Sequence, residues 1–266
     1  MNRTSATVIA DSIAFDRRLT TLEVTMHPRA VEHFLTHRTF SRNGASRRAI
    51  PLWRQIEMVQ EDDCLPAKFG AEQPGMQSGD EISLEKQVEA GRIWRDAKRQ
   101  AVVAAKRLGD LGVHKEVASA PLHPYMWRTY LVSATEWSGF MAQRLSPSAQ
   151  ADIRLVAQQI DQALNNSTPM LIDRGGWHLP YVTEQDGEDI DRLQALSVAR
   201  CARVSYLQHD GQRDADKDLA LFDRLREGGH WSPFEHVARA EPDDDPRWVA
   251  LANFRGWEQL RGILGA

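Results

Sequence analysis

Residues 36–48 hold four arginines (Arg38, Arg42, Arg47 and Arg48), one histidine (His37) and the hydroxyls of Thr36, Thr39, Ser41 and Ser46, with Asn43 and Gly44 between them. A guanidinium fork matches the geometry of a phosphate, and Ser, Asn and Gly in a turn aim backbone and side-chain donors at the same anion. The chemistry on offer is recognition of a nucleotide phosphate. By composition alone the segment reads at least as readily as a solvated basic loop. Two other places hold residues of similar promise. Ala202-Arg203-Val204-Ser205-Tyr206 is followed by Gly229-His230-Trp231-Ser232-Pro233-Phe234-Glu235-His236, whose histidines by themselves read as capping or core residues. Phe140-Met141-Ala142-Gln143-Arg144 ends on an arginine that, alone, is a cation at a helix end. No Cys-His or Ser-His pairing suggests a protein nucleophile.

The elements that must position these residues are partly legible. Residues 7–26 alternate apolar and polar around Asp16-Arg17-Arg18, which predicts a hairpin turning at those three residues. Pro28 opens a short helix to about Thr36. From Leu65 to Asp80 turn formers are too dense for regular structure, so a long ordered loop is expected. Ser83 caps a long helix whose Ala97, Ala101, Ala104, Ala105 and Leu108 share one face, stopped by Gly109 and Gly112. Ser146-Pro147 starts another, with Ile153, Val156, Ala157, Ile160, Ala163 and Leu164 at helical spacing. A helix from about Asp189 to Ala202 leads into a strand-like Arg203-Val204-Ser205-Tyr206, and Asp216 to Arg226 reads as a further helix. The expected class is α+β, helix-rich with a mixed or antiparallel sheet, in one domain over residues 1–266.

Composition narrows the partners. The 266 residues carry a net charge of −4, without the basic excess of a protein that grips a nucleic-acid polymer. No run of about 18 uncharged apolar residues is present, and the start lacks the apolar stretch of a secretory signal, so a cytoplasmic protein without membrane contact is expected. Cys64 and Cys201 form no CxxC pair, and both read as reduced, buried residues; no metal site is expected.

The order of residues adds more than their types. His37-Arg38-x-x-Ser41-x-Asn43-x-x-Ser46-x-Arg48 resembles the Arg-His-Arg-x-x-Ser-x-Asn-Glu-x-Ser-x-Arg-Tyr segment of flavin-dependent thymidylate synthases, with Thr36, Gly44 and Ala49 departing from it. The segments at 202–206 and 230–236 are similar to that family's Ala-Arg-Val-Ser-Tyr and His-x-Ser-Pro-Phe-Glu-His. Lys115-Glu116-Val117-Ala118, Ala134-Thr135-Glu136, residues 140–144 and Ala149-Gln150-Ala151-Asp152-Ile153-Arg154 resemble its carboxy-terminal block, with Ser119, Ser133, Thr135 and Ser148 replacing family residues. The blocks occur in changed order, as in a circular permutation, which a fold tolerates when its ends lie close together.

What the resemblance implies is an FAD-dependent C5-methylation of dUMP or UMP, with methylenetetrahydrofolate as one-carbon donor and NADPH reducing the flavin. It implies Arg144 as the catalytic residue, activating the pyrimidine. His37, Arg38, Ser41, Asn43, Ser133, Thr135, Ser205 and His236 are implied at the flavin, and His33, Ser46, Arg47, Arg48, Arg144 and Arg261 at the nucleotide. Arg261 or Arg255 from the tail would replace the phosphate-binding arginine missing at Ser119. The family also implies a homotetramer with shared sites. Two alternatives stand beside this: C5-hydroxymethylation of the same nucleotide, and a flavin- or nucleotide-binding subunit without catalysis. The choice between dUMP and UMP is open, the latter as in C5-methylating relatives of nucleoside-antibiotic pathways such as polyoxin; a phage relative is the other context.

Overall fold

The computed structural model describes residues 2–205, 214–241 and 253–265, with only the backbone at Ser205. Tyr206 lies outside the described residues.

Ser5–Ala14 (β1) and Arg17–Met26 (β2) form the antiparallel hairpin, with Ala14 opposite Arg17. The turn is Phe15-Asp16, at φ 48° and 57°, so Arg17 and Arg18 already belong to β2. A two-residue turn with both central φ positive matches the right-handed strand twist, and this shifts the turn from the three polar residues expected. Ser41–Gly44 (β3), Arg128–Ala134 (β4) and Met170–Leu171 (β5) complete a five-stranded sheet in the order β3-β4-β2-β1-β5, antiparallel except where β5 joins β1.

Strand alternation sorts this sheet into two faces. Leu22, Val24, Met26, Tyr130 and Val132 pack beneath Pro28–Leu35 (α1), Ser138–Arg144 (α5) and Ala151–Asn165 (α6), against Phe34, Phe140, Ile153, Val156 and Ile160. The opposite face carries Thr21, Glu23, Leu131 and Ser133. It meets Tyr181, from the loop before Ile190–Ala202 (α7), and Cys201 and Val204 at the end of that helix. Leu52–Glu61 (α2) and Leu84–Asp110 (α3) pack together through Ile56, Val59, Val102 and Ala105, with Leu122 and Met126. Lys115–Ala118 (α4) and the 3-10 segment Ala120–Tyr125 then lead into β4. Ala215–Glu227 (α8) packs on α7. A second sheet, β6-β7-β8, is built from Trp177–His178, Ala238–Ala240 and Trp257–Gln259, and Leu260–Ile263 (α9) follows it.

Several sequence expectations need correction. Helix α6 begins at Ala151, capped by Gln150, whose Oε1 accepts from the Ile153 N–H at 3.0 Å; Ser146 instead bonds Ser148. Arg203-Val204-Ser205 is a 3-10 turn that continues α7 rather than a strand. The face of α3 that is buried runs through Gly91, Lys98, Val102 and Ala105, because the partner is α2 and not another small-residue helix; Ala97 is exposed. The Ser83 cap is present, its Oγ accepting from Lys86. The stretch between α2 and α3 is an ordered loop, closed by a bridge between Gly70 and Glu81. Both cysteines are free and buried. Among the described residues no helix is long and apolar enough to cross a membrane, and no group of three or more His, Cys, Asp or Glu is placed to hold a metal ion.

Candidate active site

The three sequence blocks, separated by up to about two hundred residues, meet on and around strand β3. Ser41 lies opposite Ser133, and Ser133 lies opposite Thr21, so one row of hydroxyls crosses three strands on the face turned toward α7. Asn43, two residues along and therefore on the same face, donates from Nδ2 to the Cys201 carbonyl at 2.8 Å. Its Oδ1 accepts from Ser232 at 3.4 Å. Ser232 begins the 3-10 segment Ser232–His236, which packs on β3 and brings His236 Nδ1 within 2.8 Å of Ser133 Oγ.

A buried chain of hydrogen bonds runs on from there. Ser133 Oγ meets Thr21 Oγ1 at 2.5 Å, Thr21 meets His178 Nε2 at 2.8 Å, and His178 Nδ1 meets Ser12 Oγ at 2.8 Å. All five side chains are buried. Desolvation pushes both imidazoles down to about 3, His236 further opposed by His178, so both are neutral. Protons in such a chain have two concerted arrangements. In one, His236 Nε2 carries a proton; in the other it is an acceptor. That nitrogen is buried and has no hydrogen-bond partner among the described residues. Sequence reasoning missed Ser12, Thr21 and His178, which carry no motif and come from the hairpin and the short strand β6.

Arg144, the last residue of α5, lies on the other face of the sheet. Its Nε donates to His37 Nε2 at 3.0 Å, so the His37 proton sits on Nδ1, and its Nη2 reaches Thr36 Oγ1 at 3.0 Å and the His33 carbonyl at 3.3 Å. His37 is stacked on Phe40 and packed edge-on against Phe140, with centroids at 5.8 and 4.9 Å. Burial first, then Arg144 and Arg42, lower its pKa and keep it neutral. Arg42 points away from the polar row and caps α1 through the Leu35 carbonyl at 2.6 Å. Arg38 is exposed and has no partner among the described residues.

The remaining expected residues are dispersed. Ser46 precedes the 3-10 turn Arg47–Ala49 without a side-chain capping bond; Arg47 is half-buried, whereas Arg48 is exposed and lies 3.4 Å from Glu116. The tail does reach this region: Gln259 Nε2 donates to Ser41 Oγ at 2.9 Å, and the Arg255 N–H to Thr135 Oγ1 at 3.1 Å. Arg261, expected at the phosphate, is engaged by Glu235 at 2.5 Å. The side chain of Ser205 lies outside the described residues.

No protein-family model matches the sequence, and no curated protein matches it. Solved structures do match. The UMP/dUMP methylase PolB from Streptomyces cacaoi, bound with 5-Br UMP, superposes with a TM-score of 0.51 at 17% identity, over 64% of this chain and 91% of that chain. The same methylase bound with 5-Br dUMP gives a TM-score of 0.45 at 19% identity, over 59% and 69% of the two chains. At this identity the likeness is one of fold.

Proposed function

We propose that the chain is an FAD-dependent C5-methylase of a uridine monophosphate nucleotide, UMP or dUMP, with methylenetetrahydrofolate as one-carbon donor and NADPH as reductant. The observation that carries this reading is the meeting of three dispersed blocks: Arg144 on His37, Asn43 on Cys201 and Ser232, and Ser133 on His236. The fold shared with a UMP/dUMP methylase supports it. A uracil ring is a poor carbon nucleophile. The permanently charged guanidinium of Arg144 stabilises the negative charge that develops when N3 loses its proton, which raises electron density at C5 for attack on the methylene group. Reduced flavin, when bound, supplies the hydride that completes the methyl group.

Two observations fit residues that would hold a flavin: the buried Nε2 of His236 and the exposed guanidinium of Arg38, neither with a partner among the described residues. The permuted block order is supported by the packing of the ends, since Trp257 Nε1 donates to the Arg17 carbonyl at 3.1 Å and brings the tail onto the first hairpin. The family resemblance supports a homotetramer with sites shared between chains, and exposed Trp53, Val88 and Ile93 on α2 and α3 offer apolar surface for assembly. The deciding experiment supplies flavin-loaded protein with methylenetetrahydrofolate, NADPH and either UMP or dUMP, and reads product mass. A methyl adduct on one nucleotide is expected. No turnover of either nucleotide by the loaded protein would end this reading.

A further inference from the structure

Where the chain leaves β3, three basic side chains, Arg47, Arg128 and His123, come near enough to act on one another electrostatically. The Ala45 N–H donates to the Thr129 carbonyl at 2.9 Å, so Arg47, at the start of the following turn, and Arg128, at the start of β4, emerge from adjoining strand ends. His123 comes from the segment Ala120–Tyr125, which packs on α2; Gln55 of α2 in turn holds the Arg47 carbonyl at 3.1 Å. All three side chains are half-buried.

Their electrostatics are one-sided. Desolvation and then Arg128 hold Arg47 down to about 10, with only the Tyr130 phenol acting in the other sense. Desolvation, then Arg47 and Arg128, push His123 down to about 4. No carboxylate among the described residues acts on either group. Among the described residues neither guanidinium makes an ion pair, and Glu116 is taken by Arg48. Arg128 lies over the Tyr130 ring at 6.0 Å, but two like charges held close and partly out of water cost free energy that no carboxylate among the described residues recovers. Such an arrangement is expected where a ligand supplies the missing anion.

We propose that Arg47, Arg128 and His123 form the site for the phosphate monoester of the nucleotide substrate. The proposal rests on the nucleotide reading above. Two guanidinium forks and an imidazole N–H match three peripheral oxygens and a charge near −2, where a carboxylate presents two oxygens and a single charge. Arg128 and His123 then do what the tail arginines were expected to do, since Arg261 is held by Glu235.

Calorimetric titration of the full-length protein with UMP, dUMP, uridine and inorganic phosphate, for wild type, Arg47→Gln and Arg128→Gln, tests this. UMP binding at least tenfold weaker in each variant, with uridine unchanged, is expected, together with competition by inorganic phosphate in the wild type alone. If UMP binds wild type and Arg128→Gln alike, the phosphate site is wrong and the nucleotide reading stands. If UMP, dUMP and uridine all fail to bind, yet inorganic phosphate binds wild type and not the variants, the anion site stands and the nucleotide reading fails. A second measurement needs no variant fold: by NMR, saturating phosphate should raise the His123 imidazole pKa in the wild type, because a bound anion favours the imidazolium. An unmoved His123 titration would overturn the assignment.

Discussion

Arg144 places one planar guanidinium on three acceptors, His37 Nε2, Thr36 Oγ1 and the His33 carbonyl. Lysine keeps the charge and loses the fork. Arg144→Lys is expected to retain bound flavin and lose about 2–4 kcal/mol of transition-state stabilisation, a factor of roughly 30 to 1000 in kcat. Steady-state kinetics beside a thermal melt separate this from a structural role, since an arginine that only ties down the end of α1 would lower Tm and leave kcat in place. The buried histidines make a different claim at the same scale. His178 and His236 stay neutral to about pH 3 when folded, whereas an unfolded histidine binds a proton near pH 6.5. Between those values the unfolded state holds more protons, so stability rises with pH; it is fully present above about 6.5 and falls on acidification by roughly 1.4 kcal/mol per pH unit for each residue. Denaturant midpoints across pH 7 to 5 check this, and a flat profile would show that neither histidine is buried neutral.

At the scale of elements, α7 and α8 are joined by a charge cluster beside the apolar contacts of Val198 with Phe222 and Leu225. Arg200, buried on α7, bonds Asp186 at 2.6 Å and Asp218 of α8 at 3.1 Å, and donates to the Tyr181 carbonyl at 2.9 Å. The Arg200 hydrogen bonds hold the Asp186 carboxyl well below the usual carboxylate range. Arg203 also pairs with Asp218, at 2.9 Å, so removing Arg200 leaves Asp186 without its cation and the buried Asp218 with one partner in place of two, which costs about 3 kcal/mol. Urea unfolding of Arg200→Ala should show that loss, and a wild-type midpoint would refute the account. A smaller lesson concerns Gly44. A Cβ there would come within 2.6 Å of the Tyr130 ring, so the position where the resembling family carries Glu is filled here by an aromatic from the neighbouring strand.

For the whole molecule, the tail is part of the core. Phe254, Trp257 and Leu260 are buried at 2% exposure or less, and β8 completes the second sheet. Burying each such side chain contributes about 1.5–3 kcal/mol, against a total stability of roughly 5–15 kcal/mol. Deleting residues 253–266 should therefore abolish cooperative unfolding in a circular dichroism melt, not merely raise KM for the nucleotide. A truncated protein melting as the full chain does would show the tail to be dispensable. Light scattering addresses assembly: a homotetramer is expected, and an active particle of 30.1 kDa, the mass of one chain, would exclude it.

Much of this architecture was readable along the chain, because its signals are local. The hairpin, the helix after Pro28, the Ser83 cap and the apolar stripe of α6 each depend on neighbours within a few residues, and the motif blocks could be recognised by their spacing. The α6 start differs from the Ser146-Pro147 signal by a local choice, since Gln150 itself accepts from the Ile153 N–H, whereas the α3 face is decided by a distant partner, α2 taking Val102 rather than Ala101. The site divides in the same way. Sequence alone marked His37, Asn43, Arg144 and His236, but strand pairing set Ser41, Ser133 and Thr21 in one row, and packing of β6 beneath them added His178. Arg128 and His123 had no motif at all. Strand alternation is written into each strand, whereas which strands lie side by side is a property of the collapsed core, and only that long-range choice determines which polar groups share a face and which charges are left without a partner.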